Sequence, residues 1–313
     1  MSEQQKEMRM AYVDTIMELG EKNKNIVVLE ADLMSCTNTS VFRKAYPDRH
    51  FNCGVAEANM VGIAAGLSTL GKIPFAASFG CFAARRTYDQ FFLSANYAKL
   101  NVKLVGTDPG VTAAYNGGTH MPFEELALMR VVPGLTFVEP SDPVSCAAFV
   151  RLMADEYGCH YLRIPRKAVP YIYPENETFK FGQAKVLKEG KDVCFIALGS
   201  LMVNQSLKAC DKLAESGISA GVLDILTLKP IDCDAILAQA GKVRAIISAE
   251  NAQIAGGLGS AVAETLAEAG CGCKFARIGI RDEFGEVGTQ DYLVDRFGLD
   301  VGSLVKKAQE LLG

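Results

Sequence analysis

In the stretch GVAEANMVGIAAGL, Gly54–Leu67, one carboxylate, Glu57, heads a run of small and apolar residues. An acid in that place has two possible uses. It can complement the positive end of a helix, worth up to about 1 kcal/mol, or it can exchange a proton with a bound group. Further along, SFGCFAARRTYDQ carries Phe79, Phe82, Arg85 and Arg86, and PGVTAAYNGGTH is a glycine-rich loop that ends at His120. YLRIPR supplies Arg163 and Arg166, and NIVVLEAD ends at Asp32. Each has a plainer reading. The phenylalanines are core, His120 fixes a turn before Met-Pro, and the paired arginines form a solvated helix start. GGLGS, Gly256–Ser260, opens a helix and reads either as an anion seat or as a bare turn. GxxxxGK[ST] does not occur, so no phosphate loop is expected.

What would place these residues is a strict alternation of elements. NIVVLEAD, KIPFAASF, NVKLVGTD, LTFVEPSD and CHYLRIPR read as strands, being short, apolar and β-branched or aromatic. Between them lie stretches with helical spacing. Met60, Ile63, Ala64 and Leu67 fall on one helical face, and PVSCAAFVRLMADE follows a Ser-Asp pair able to cap it. The alternation predicts an α/β fold, a mostly parallel sheet with helices on both faces. In such sheets ligands gather at the carboxyl ends of the strands. The acid, rings, histidine and arginines all follow strands and so point to one edge.

The pattern breaks at KAVPYIYPENETFKFGQ, residues 167–183, which reads as a linker. A second alternating set follows: DVCFIALGS, GVLDIL, VRAIISAEN and CKFARIGI. Two domains are expected, at residues 1–166 and 184–313, each a mostly parallel sheet flanked by helices.

Composition narrows the function. The 313 residues carry a net charge of −4 without a basic block, which argues against nucleic acid or an anionic membrane as partner. No apolar run is long enough to cross a bilayer, and the amino-terminal MSEQQKEMRMAY lacks a secretory apolar region. A cytoplasmic location is expected. The ten cysteines contain no CxxC pair, and three histidines offer little help in binding metal. Most of the thiols are expected to be small buried hydrophobes.

The ordered set GVAEANMVGIAAGL, a Phe-rich segment before YDQ, GGTHMPFEELALMR, PGLTFVEPSD and YLRIPR resembles the carboxyl-terminal half of the transketolase family of thiamine-diphosphate enzymes. The likeness spans essentially the whole chain, with a pyrimidine-binding domain followed by a transketolase C-terminal domain. It implies that Glu57 shares a proton with N1′ of the cofactor's aminopyrimidine ring. That proton favours the tautomer able to deprotonate the cofactor's own C2. The carbanion chemistry is the cofactor's, and the protein supplies placement and proton control. By the same resemblance Phe82 stacks on the ring with Phe79 beside it, and Arg86 belongs to the cofactor-binding set. His120 then acts in catalysis and binds a sugar hydroxyl, Arg166 grips substrate phosphate, and Asp32 and Asn116 line the substrate channel.

The chain departs from the family pattern at Thr107-Asp108, where transketolases carry His-Asp, and at Tyr115-Asn116, where they carry an acidic pair. Residues 85–90 look more like the deoxyxylulose-phosphate synthase branch. Tyr115 and Asn116 would select an unusual ketose phosphate.

The family's GDG metal motif does not occur in the sequence. The implied arrangement is half an enzyme. A separate amino-terminal subunit would hold the diphosphate through Mg²⁺ or Ca²⁺. The two subunits would assemble as α2β2, and this chain alone would form an inactive dimer. The expected activity is transfer of a two-carbon ketol unit from a ketose phosphate to an aldose phosphate. The alternatives are the β subunit of a 2-oxo-acid dehydrogenase E1 component and a non-catalytic regulatory paralogue.

Overall fold

The computed structural model describes residues 4–313, so residues 1–3, with which the expected first domain begins, lie outside them. The apolar runs form the strands β1 Gln5–Glu7, β2 Ile26–Glu30, β3 His50–Asn52, β4 Ile73–Phe79, β5 Lys103–Thr107, β6 Thr136–Val138 and β7 His160–Ile164. They continue as β8 Ala168–Pro170, β9 Lys185–Lys188, β10 Val193–Ala197, β11 Ala220–Asp224, β12 Thr227–Lys229, β13 Ala245–Gln253 and β14 Lys274–Ile280.

Seven strands form one sheet in the order β12-β6-β7-β5-β4-β2-β3. Every pairing in it is parallel except β12 with β6. Parallel sheets are covered on both faces, which is why β2, β5 and β7 are buried at every position. A second sheet runs β14-β13-β10-β11-β9, parallel apart from β9 against β11. The α/β reading with two mostly parallel sheets holds.

Two features differ from the linear reading. The stretch 167–183 is not wholly irregular, since β8 pairs antiparallel with β1 and ties the start of the chain to the end of the first sheet. Strand β12 lies far beyond that stretch yet joins the edge of the first sheet beside β6. A three-residue strand, TLK, carries too little periodicity to be read from sequence.

Where the chain passes from β2 outward to β3 and then crosses to β4 on the other side of β2, the strand order reverses. Crevices outside the carboxyl ends of strands at such a switch point bind ligands. Asp32 follows β2, Glu57 follows β3, Phe79 ends β4, Asp108 follows β5 and Arg166 follows β7. Parallel pairing therefore delivers all of them to one edge.

Cys81, Cys146, Cys159, Cys194 and Cys210 are buried, but Cys36, Cys53, Cys271 and Cys273 are half-buried and Cys233 is exposed, so burial accounts for half of the thiols rather than most. No helix among the described residues is long and apolar enough to cross a membrane.

Candidate active site

The helix Glu57–Thr69 begins directly after the turn that follows β3, with Ala56 at its cap position and no side-chain cap bond. Glu57 is 3% exposed. Its Oε1 accepts a hydrogen bond from Nη1 of Arg86 at 2.8 Å. The acid thus has a specific partner beyond the helix dipole. The helix buries Met60, Val61, Ala64, Ala65 and Ser68. That face is rotated from the one read in the sequence, because Ile63 is 36% exposed. A side chain added at Gly62 or Gly66 would meet nothing in this chain. Of the small residues on this helix after Glu57, Ala64 and Ala65 are buried within the chain.

Strand β4 ends at Phe79, and the helix Gly80–Arg85 starts at once. The short step brings Phe79 and Phe82 together, with ring centres 6.1 Å apart. The His120 ring stands edge-on to both, 6.1 Å from Phe79 and 5.2 Å from Phe82. Thr119 Oγ1 lies 2.9 Å from His120 Nδ1. Arg85 holds this loop from the other side, donating to the carbonyls of Thr119 at 2.8 Å and Cys81 at 3.1 Å. The Arg86 guanidinium lies over the Phe82 ring, 3.8 Å from its centre.

Arg166 lies 5.0 Å over the Phe79 ring. Its Nε sits 2.8 and 2.6 Å from the two oxygens of Asp108. Burial lifts the Asp108 carboxyl above its ordinary range, and Arg166 opposes the lift. Asp108 was not among the expected site residues. The signals for it are its place just past the carboxyl end of β5 and the Thr107-Asp108 pair set against the family's His-Asp.

Glu57, Arg86, Phe82, Phe79, His120 and Arg166 thus form one connected cluster. Asp32 stands at the same edge but bonds to Asn52, its Oδ1 accepting from Asn52 Nδ2 at 3.1 Å. Asn116 closes the segment Gly110–Asn116, where Ala114 holds the strained angles φ 48° and ψ −118°. Backbone strain of this kind concentrates at functional loops. Beside it, Tyr115 is 71% exposed.

Arg163 does not join the open edge. It is fully buried and donates to Glu125 at 2.6 Å, Glu139 at 2.7 Å and the Asn251 carbonyl at 2.9 Å. Burial works against its charge, but Glu139 and Glu125 outweigh this and raise its pKa. One guanidinium does not fully serve two buried acids, and burial pushes Glu139 up to about 7 against the pull of Arg163. Of the two readings of GGLGS, anion seat or bare turn, the structure shows a seat filled from within the chain: the Glu250 carboxylate accepts from the backbone N–H of Leu258 at 2.7 Å and Gly259 at 2.8 Å.

A buried acid and paired aromatic rings lie at the switch point of a parallel sheet, and a second α/β sheet follows in a second domain. Residues 4–171 match the family model described as transketolase, pyrimidine binding domain, and residues 182–304 match transketolase, C-terminal domain. The chain belongs to the transketolase family, whose members depend on thiamine diphosphate. It is 48% identical to the 6-deoxy-6-sulfo-D-fructose transketolase subunit SqwH of Clostridium sp. (strain MSTE9), over 97% of this chain and 94% of the relative. It is 35% identical to one subunit of the apulose-4-phosphate transketolase of Phocaeicola vulgatus, over 97% of each. A solved split-gene transketolase, described as an inactive β4 tetramer, superposes with a TM-score of 0.89 at 42% identity over 98% of both chains.

Proposed function

We propose that this chain is the carboxyl-terminal subunit of a split transketolase and moves a two-carbon ketol unit from a ketose phosphate to an aldose phosphate. The observation that carries the reading is the pairing of a buried acid, Glu57, with an aromatic face, Phe82. The Arg86 guanidinium already spans the two. A flat nitrogen heterocycle needs those two things, a face to stack on and a carboxyl at a ring nitrogen. The aminopyrimidine end of thiamine diphosphate therefore fits the residues present. The family's GDG metal motif does not occur in this sequence. The reading assigns Mg²⁺ or Ca²⁺ and the diphosphate to a second subunit.

When bound, thiamine diphosphate supplies the carbon nucleophile of the reaction. The tasks of this chain are simpler. Glu57 holds a proton at the ring nitrogen N1′. Phe82, with Phe79 beside it, supplies the apolar face. His120, its Nδ1 close to Thr119, is left with Nε2 to hydrogen-bond a sugar hydroxyl. Arg166 serves the anionic end of the sugar, exchanging part of its bond to Asp108 for phosphate, to which a guanidinium is well matched. Asp32 and Asn116 line the approach. A sulfonate, as named for the relative from Clostridium, would suit the same arginine.

The exposed face of the Glu57 helix, with Gly62, Ile63 and Gly66, supports assembly with further chains as α2β2. The test is to co-purify the chain with its diphosphate-binding partner, add thiamine diphosphate and Mg²⁺, and offer ketose and aldose phosphates. Two-carbon transfer is expected from the pair and from neither chain alone. Turnover only with a 2-oxo acid, or none from an intact assembly, would overturn the proposal.

A further inference from the structure

We propose that Arg86 is an internal stand-in for the cofactor ring, occupying the seat of the aminopyrimidine and leaving it when the ring binds. The inference rests on the reading above, in which the ring stacks on Phe82 and meets Glu57.

A ring in that seat has two needs. Its plane must lie about one van der Waals contact, roughly 3.5–4 Å, above an aromatic face, and a ring nitrogen must reach the carboxyl. A single guanidinium meets both. Its central carbon lies 3.8 Å from the Phe82 ring centre, and its Nη1 lies 2.8 Å from Glu57 Oε1. The match is also chemical. Guanidinium is flat and carries an N–C–N unit like the amidine edge of an aminopyrimidine. While Arg86 holds both contacts, its guanidinium occupies the space over Phe82 that a stacked ring would need.

The neighbouring arginine shows what a fixed role looks like. Arg85 is tied to the Cys81 carbonyl, the Thr119 carbonyl and the Glu124 carboxylate. The Arg86 side chain holds one hydrogen bond among the described residues, the one to Glu57, and it is 47% exposed. It can swing into solvent without breaking the fold. A half-exposed ion pair and one cation–π contact are weak enough to be exchanged for a ligand.

The consequence is a tax on cofactor affinity. If about one chain in ten has the arginine swung away, apparent affinity falls about tenfold below that of the open seat. The experiment measures thiamine diphosphate binding with Mg²⁺, by equilibrium dialysis, on the assembled two-chain complex carrying wild-type chain, Arg86→Ala or Arg86→Lys. Arg86→Ala is expected to bind roughly tenfold more tightly than wild type. Arg86→Lys, which keeps the charge but loses the plane, is expected to fall between them. Equal or weaker binding by Arg86→Ala would show an ordinary cofactor contact and overturn the stand-in. If wild type and both variants assemble yet none binds, the proposed function itself falls, and the stand-in falls with it.

Discussion

At the scale of single residues, the first domain keeps an unusual number of acids away from water. Glu30, at the end of β2, is buried with Thr37 and Thr39 hydroxyls on its Oε1 at 2.7 and 2.5 Å. Burial pushes its pKa up to about 7, and the two hydroxyls only partly oppose it. A carboxyl raised in the folded state binds its proton more tightly there than in the unfolded chain. Its contribution is therefore neutral below the unfolded pKa near 4.5 and becomes a growing cost as pH rises through 7. Against an isosteric Glu30→Gln variant, wild type should lose up to about 3 kcal/mol of relative stability between pH 5 and 8. Urea midpoints of both proteins across that range check this, and parallel curves would contradict it. Glu30 was not legible as special in the sequence, because an acid at a strand end reads as solvated. Glu57 was legible only through its company, the small-residue helix behind it and the rings that follow. Asp108 was visible only as half of the Thr107-Asp108 pair, since its bond is to Arg166, 58 residues away in the chain.

At the scale of elements, the helix Pro143–Asp155 shows local chemistry deciding structure. The Ser-Asp pair before it reads as a cap, and Asp142 does cap it, accepting from Ser145 N at 2.8 Å in a capping box. Its second oxygen accepts from the backbone N–H of Ile172 and Tyr173, each at 3.0 Å. One buried carboxylate therefore starts the helix after β6 and also anchors the segment leading to the second domain. Asp142→Ala should cost about 3 kcal/mol, one part from the lost cap and the rest from orphaned N–H groups. A fall in the denaturation midpoint measures it, and a loss below about 1 kcal/mol would mean that water replaces the carboxylate. Caps and long apolar strands were legible because both are set by neighbours in sequence. β12 and the rotated face of the Glu57 helix were not, because distant packing decides them.

At the scale of the whole molecule, the two sheets are joined through polar groups at the carboxyl edge of the first. Asn251, on β13, donates to the Pro109 carbonyl at 2.9 Å and accepts from Val111 N at 3.0 Å. Arg163 reaches across to the Asn251 carbonyl while holding Glu125 and Glu139. The loop that carries His120 therefore starts from a junction with the second domain. Arg163→Met would leave two buried carboxyls without their cation and should cost about 3–5 kcal/mol near pH 7. The loss should shrink near pH 5, where those carboxyls take up protons. Chemical denaturation at both pH values tests it, and an equal loss at both would refute the shared-cation account. From sequence Arg163 looked like its neighbour Arg166, since both close β7. Alternation along the strand points one into the sheet's packing, and only the fold shows two acids waiting there.

In the proposed reaction everything turns on Glu57 governing a proton on the cofactor ring. The most direct measure of that control is the rate at which the C2 proton of thiamine diphosphate exchanges with deuterium, followed by NMR after quenching, in the assembled complex. Exchange should be fast with the wild-type chain and slower by about 10²–10⁴-fold with Glu57→Gln, at unchanged assembly. Exchange at the wild-type rate in that variant would contradict the account.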